Sequence, residues 1–182
     1  WDIVIIGGGA SGLGTALDAA SRGFKTLLLE QHDFAKGTSS RATKLVHGGV
    51  RYLARGNVSL VREALRERKA ALQNAPHLVQ PLAFLMPAFG LKGRLWDRLF
   101  YGTGLILYDL LAGKAGLGNT QFLNRSETLR ALPGVRTEDL VGSVQYWDGQ
   151  FDDARMAVML ARTAAAHGAV VLNHCTVRAL LH

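Results

Sequence analysis

"VIIGGGASGLGTALDAASRGFKTLLLEQ", residues 4–31, places five glycines at its start and a lone glutamate, Glu30, at its end. An apolar run over residues 2–6 reads as a buried parallel strand. Small residues at Gly12, Ala16, Ala19 and Ala20 mark one face of a helix over 12–22, which Gly23 ends. "KTLLLE" is a second strand, so the stretch is a βαβ unit, and the fold class is α/β: a Rossmann-like domain with a parallel sheet. Gly7, Gly9 and Gly12 fit G-x-G-x-x-G between strand and helix, with Gly8, Ala10 and Ser11 completing the turn. The spacing supplies a tight turn, a close backbone approach to a pyrophosphate, and close packing of helix on strand. The helix start adds N–H donors and a positive dipole for the phosphates. Glu30 ends the second strand, where a carboxylate can accept both ribose hydroxyls and would repel a 2′-phosphate. A dinucleotide other than NADP is therefore expected. The βαβ unit does not decide between FAD and NAD.

The remaining chain bounds the answer further. Its 182 residues suffice for one domain with a sizeable core but are short for a two-domain enzyme. It opens at Trp1 and stops in what reads as the middle of an element, so a piece of a longer protein is expected. The single Cys175 excludes an intrachain disulfide, suits a reducing compartment, and reads as a small buried hydrophobe. No signal-peptide pattern and no bilayer-spanning apolar stretch is present, so a soluble or peripheral protein is expected. The net charge of +7 is concentrated at residues 41–69, which hold eight Lys and Arg against Glu63 and Glu67. Such a cluster can face anionic lipid or a small phosphorylated ligand. Without interleaved aromatics, nucleic acid is the weakest reading.

The pattern predicts a charged helix over 58–74, with Leu60, Val61, Ala64, Leu65 and Leu72 on its buried side, and a strand over 81–89. Residues 93–113 read as a helix interrupted by Gly102 and Gly104. A capping box starting at Ser126 opens a short helix that Pro133-Gly134 stops. A long helix starts near Asp152, and a strand follows at 169–178.

"GTSSRATKLVHGGVRYL", residues 37–53, resembles the loop after the second strand in the FAD-dependent glycerol-3-phosphate dehydrogenases, within the glycine/D-amino-acid oxidase-like flavoprotein superfamily. The likeness continues through "REALRERKAALQNAPHL", "PLAFLMP", "LYDLLAG" and "YWDGQFDDARMAV", so it covers the chain in order, as the N-terminal third of such an enzyme. It implies a FAD-binding domain over 1–76, the start of an inserted substrate or cap layer over 77–140, and a return to the FAD domain over 141–182. It implies that Gly7, Gly8, Gly9, Ala10, Ser11, Gly12 and Glu30 hold the ADP half of FAD. Thr38, Ser39, Ser40, Lys44, Leu45, His47, Gly48 and Gly49 would line the pyrophosphate and isoalloxazine. Hydroxyls and N–H donors suit flavin carbonyls, and a cation near N1 suits the reduced flavin. The plainer readings are a helix N-cap for Ser39 or Ser40 and a turn residue for His47.

By the same resemblance Arg51 and Tyr52 meet the substrate, since a phosphate monoester suits a permanently charged planar fork. The plainer reading of Arg51 is a solvated arginine like Arg55, Arg62 and Arg66. The implied reaction is oxidation of sn-glycerol 3-phosphate to dihydroxyacetone phosphate, with hydride to flavin N5 and electrons passed to a quinone, or to oxygen in oxidase variants. No residue qualifies as the catalytic base, and the family's further arginine, lysine and histidine contributions lie outside this chain. The implied location is cytoplasmic, peripheral on the inner face of the cytoplasmic membrane. "GRLWDRLFYGTGLILYDLL", residues 93–111, reads as core or cap packing, or as a basic amphipathic segment at a membrane interface. Asp152 and Asp153 read as a helix cap and first-turn acid rather than an acid–base pair, because no His or further carboxylate sits at ligand spacing. No histidine pattern fits a metal, and no nucleophile motif is present. The alternatives are an amine or amino-acid oxidase of the same superfamily, with Arg51 meeting a carboxylate, or a non-catalytic flavin-binding module.

Overall fold

The computed structural model describes residues 1–47, 52, 56–90, 98–113 and 116–181. By packing, the chain divides into Trp1–Lys44 with Phe151–His182, and Leu45–Gln150. This is a separate division from the functional domains expected at 1–76, 77–140 and 141–182.

The first unit carries β1 (Ile3–Ile6), α1 (Ala10–Ser21) and β2 (Thr26–Leu29), then a 3-10 turn at Thr38–Ser40. A later helix (Asp153–Ala166) and strand (Val170–Leu172) return to the same sheet. That sheet is parallel, with β2 central: Ile3 pairs with Thr26 on one side and Leu27 with Val170 on the other. The sequence expected the last strand over 169–178, but only three residues pair. His174 then takes a left-handed φ of +54°. Its N–H donates to the His32 carbonyl at 2.9 Å, and Cys175 N–H donates to the Glu30 carbonyl at 2.8 Å, so the chain turns to follow residues 30–32. Cys175 is half-buried rather than a core residue.

Small side chains let the two helices lie close over the sheet. Leu13, Ala16 and Ala20 from α1 meet Ala157, Ala161 and Ala164 from the later helix, with Leu28 of β2 beneath them. Alanine costs no side-chain entropy in a helix and admits this close approach. The strands alternate accordingly: Ile5 and Val171 face this core, while Val4, Ile6, Val170 and Leu172 face away and are exposed.

The second unit contains β3 (Leu45–Val46), α2 (Val58–Asn74), β4 (Val79–Phe89), α3 (Arg98–Ala112), β5 (Gln121–Asn124), α4 (Arg125–Ala131) and β6 (Leu140–Phe151). The returning helix and strand of the first unit are thus α5 and β7. β6 is the hub of a four-stranded sheet in the order β3-β6-β4, with β5 also paired to it. β3 and β5 both run antiparallel to it.

Helix α2 spans the predicted residues and is N-capped by Asn57, whose side chain accepts from Leu60 N–H. Val61 and Leu65 are buried as expected, but Leu60 is exposed and Arg68 is fully buried on the same stripe. Arg68 lies seven residues past Val61, the position a helical stripe returns to. Its Nη1 donates to Asp148 at 2.9 Å and to the Tyr108 hydroxyl at 3.2 Å, and that hydroxyl donates to the other Asp148 oxygen at 3.1 Å. A buried guanidinium is tolerated because it is paired and hydrogen-bonded.

Two local expectations are corrected. Helix α3 runs through Gly102 and Gly104 without a break. Gly102 is where the Phe122 ring packs, and a Cβ there would overlap that ring. The capping box of α4 starts at Asn124 and not Ser126: Asn124 accepts from Glu127 N–H at 3.0 Å, and Glu127 accepts from Asn124 N–H at 2.7 Å. Asn caps as well as Ser does, and Glu at the third helical position completes the box, a pairing that Ser126 with Leu129 cannot make. Among the described residues, no helix is long and apolar enough to cross a membrane.

Candidate functional site

The glycine turn between β1 and α1 is shaped by what its missing side chains would strike. Gly7 has φ +114°, which L side chains rarely adopt. A Cβ on Gly8 would stand 2.8 Å from both Glu30 Cβ and Phe34 Cδ1, and one on Gly12 would fall on the Gly7 carbonyl oxygen. A Cβ on Gly9 would stand 3.1 Å from Ser39 Oγ. Gly7, Gly9 and Gly12 therefore hold the turn that their spacing predicted, at the mouth of α1.

Glu30 does more than end its strand. One carboxylate oxygen accepts from Gly8 N–H at 2.6 Å and the other from His32 N–H at 2.7 Å. These bonds, Gly8 first and His32 second, hold its carboxyl below the usual glutamate range despite partial burial. Each oxygen keeps a second lone pair, so two further donors such as a ribose diol can be accepted. The sequence pointed to the ribose role; the link to the turn it did not show.

Ser39 performs a helix cap, but for α1 rather than its own turn. Its Oγ accepts from Ala10 N–H at 2.9 Å across 29 residues, while Gly9, the N-cap, offers no side chain. Ala35 has φ +59° and is buried, with its N–H on the Gly8 carbonyl at 2.9 Å. Gly9, Glu30, Gln31, His32, Ala35, Lys36, Gly37, Thr38 and Ser39 thereby line one cleft of about 220 Å³. Of the remaining candidates in this unit, Ser11 and Thr38 are exposed and Ser40 is half-buried. Lys44 is exposed, with its ammonium on Asp153 at 2.5 Å. That pair raises the lysine and lowers the aspartate from their ordinary values.

Leu45 belongs to the second unit, paired with Gln150, and His47 there is exposed. Tyr52 is 40% exposed. Gly48, Gly49 and Arg51 lie outside the described residues. Asp152 accepts from Arg155 N–H at 3.0 Å, the expected helix cap, whereas Asp153 turns back to Lys44 and to Ala42 N–H. Among the described residues, no three metal-ligating side chains come together.

Known proteins fit this geometry. The family model for FAD dependent oxidoreductases matches residues 2–182. The chain belongs to that family. Over 182 residues the chain is 48% identical to the glycerol-3-phosphate dehydrogenase of Mycobacterium leprae (strain TN), covering 100% of this chain and 31% of that protein. Over 188 residues it is 46% identical to the mitochondrial glycerol-3-phosphate dehydrogenase of Rattus norvegicus, covering 100% of this chain and 25% of that protein. It thus spans about a quarter to a third of the length of these curated relatives. The glycerol-3-phosphate dehydrogenase from Bacillus halodurans, solved with FAD, superposes with a TM-score of 0.70 at 35% identity, covering 100% of this chain and 28% of that one.

FAD is accordingly the cofactor. The residues fit its ADP half: a turn in which Cβ atoms at Gly8 and Gly12 find no room, a helix N-terminus behind it, and a carboxylate at the end of β2 able to accept a diol. The cleft, at about 220 Å³, is on the scale of one end of such a ligand and not its whole length.

Proposed function

We propose that the protein oxidises sn-glycerol 3-phosphate to dihydroxyacetone phosphate. The observation that carries this reading is identity of 46–48% along the whole chain with proteins named glycerol-3-phosphate dehydrogenase, joined to a glycine turn tied to Glu30 that suits the ADP half of FAD. Bound FAD supplies the acceptor for the two electrons of the alcohol.

The chain's own residues bind and orient. Glu30 fixes the adenosine end, and the turn from Gly7 to Gly12 brings α1's N–H groups toward the pyrophosphate. Ser39 closes the turn. Thr38, Ser40, Lys44, Leu45, His47, Gly48 and Gly49 are proposed to contact the rest of the cofactor. Arg51 is proposed to grip the substrate phosphate with Tyr52 beside it, because a guanidinium offers the bidentate fork that a phosphate monoester accepts. A quinone is proposed as the electron acceptor. The proposed location is the inner face of the cytoplasmic membrane, as a peripheral protein, a reading supported by Ile106, Leu107 and Leu110, exposed apolar side chains on α3.

The test is anaerobic mixing of the full-length protein with glycerol 3-phosphate while visible flavin absorbance is followed. Rapid bleaching is expected, and Arg51→Ala should abolish it while FAD stays bound. Flavin that remains oxidised with glycerol 3-phosphate but bleaches with an amino acid would overturn the reading in favour of an amine or amino-acid oxidase.

A further inference from the structure

The cofactor segment between Gly37 and Leu45 is tied down at several points within its unit. Ser39 Oγ takes the Ala10 N–H at 2.9 Å, which fixes the segment against α1. Its far end meets the start of α5. Ala42 N–H donates to Asp153 Oδ2 at 3.0 Å, the Lys44 ammonium donates to Asp153 Oδ1, and Phe151 N–H donates to the Lys44 carbonyl at 3.0 Å. Lys44 itself has φ +60°. A lysine holds a left-handed conformation only where its surroundings impose it.

Helix capping does not account for Asp153. Asp152 already caps α5 through Arg155 N–H. A first-turn carboxylate can serve the helix dipole from the surface. Asp153 instead is only 2% exposed, although its partner lysine side chain is 57% exposed. Burying a carboxylate is costly unless its oxygens are matched by donors. Here one oxygen takes Ala42 N–H, while the other takes Lys44 Nζ and the Ala154 N–H at 2.9 Å. Two of those three donors lie in the cofactor segment, 109 and 111 residues back along the chain.

We propose that Asp153 is a positioning residue for the cofactor: by holding Ala42 N–H and the Lys44 ammonium, it sets the 38–44 segment so that Ser39 closes the glycine turn. It acts through that segment and is not assigned any contact with FAD. The inference rests on FAD as cofactor and not on glycerol 3-phosphate as substrate, so its test reads cofactor affinity and segment order, with no substrate present.

Asp153→Asn, Asp153→Ala and Asp152→Ala are compared in the purified holoprotein and its apoprotein. The FAD dissociation constant is read from quenching of flavin fluorescence, and loosening of the segment from tryptic cleavage after Arg41 and Lys44 in the apoprotein. Asp153→Ala removes both acceptors and should weaken FAD binding by about tenfold or more, the scale of hydrogen bonds to a charged group. Asp153→Asn can still accept from Ala42 N–H but turns an NH2 toward the Lys44 ammonium. It should weaken binding by about threefold to tenfold. Both should speed cleavage after Lys44. Asp152→Ala should lower the melting temperature yet leave FAD affinity within about twofold, because it removes a cap of α5 and no tie to the segment.

FAD affinity unchanged within about twofold in Asp153→Ala, or weakened equally in Asp152→Ala, would overturn the proposal. If Asp153→Ala fails to fold by circular dichroism, Asp153→Asn decides. Parental affinity with parental cleavage in that variant would overturn the proposal equally.

Discussion

Replacing Glu30 with Gln changes almost nothing in size and one thing in chemistry. The carboxylate receives Gly8 N–H on one oxygen at 2.6 Å and His32 N–H on the other at 2.7 Å. A glutamine side chain has one acceptor oxygen and one NH2 donor. However the amide is turned, its NH2 faces one of those two N–H groups, donor against donor. A hydrogen bond to a charged group contributes about 1.5–3 kcal/mol, and the partial exposure of Glu30 puts it near the lower end, about 1.5 kcal/mol. FAD requires the formed turn, so the cost of restoring it is drawn from the binding energy. At 1.4 kcal/mol per tenfold, the dissociation constant should rise by about tenfold. Titration of apoprotein with FAD, followed by flavin fluorescence, measures this directly.

The same bonds set a pH dependence. They lower the folded carboxyl below its ordinary value of 4.5, so the carboxylate's contribution is complete above that value. It is lost as pH falls through the lowered folded value. Parental FAD affinity should therefore hold level from neutral pH down to about 4.5 and fall below it, and Glu30→Gln should lack that acid limb. A Gln variant with parental affinity and a parental acid limb would refute the reasoning, because Glu30 would then hold neither the turn nor the ribose.

Further substitutions separate the glycine turn from the scaffold. Gly12→Ala places a methyl on the Gly7 carbonyl oxygen, and Gly14→Ala places one in open space on the same helix. The first should lose FAD by about tenfold to a hundredfold, as an overpacked site does, and the second should bind normally; the flavin-to-protein absorbance ratio after purification compares them. In the second unit, Arg68→Met leaves the Asp148 carboxylate buried beside Tyr108, and should cost about 3–5 kcal/mol in urea unfolding. Adding Asp148→Asn should recover part of that loss, while a single Arg68→Met variant within about 1 kcal/mol of the parent would show that the pair does not hold α2 to β6.

The glycine turn was legible because it is local. Gly7, Gly9 and Gly12 act through the backbone of one turn, and Glu30 follows by the length of one helix and one strand. What was missed was the identity of partners. Ser39 looked like a cap for its own turn, because capping usually reaches only to the next few residues. Asp153 looked like a companion to Asp152 for the same reason. Arg68 is one of the eight basic residues of 41–69, yet its place on the Val61–Leu65 stripe signals burial, and Asp148 in "YWDGQ" is the acid it meets. The capping box starts at Asn124, two residues before the expected Ser126, because Glu127 stands at the third helical position only when Asn124 is the cap.

By itself the sequence determined the βαβ unit, the dinucleotide turn and its acidic partner, and where most of the helices and strands lie. Those features rest on φ/ψ freedom at glycine and on side-chain periods of 2 and 3.6, which act within a few residues of themselves. Only the tertiary structure decided that Ser39 caps α1, that Asp153 holds Ala42 and Lys44, and that Arg68 meets Asp148 across 80 residues. Every carboxylate along the chain is chemically able to receive those donors. The topology, by laying α5 and β7 back beside β2 and by making β6 the hub of the second sheet, brings Asp153 to Ala42 and Lys44, and Asp148 to Arg68.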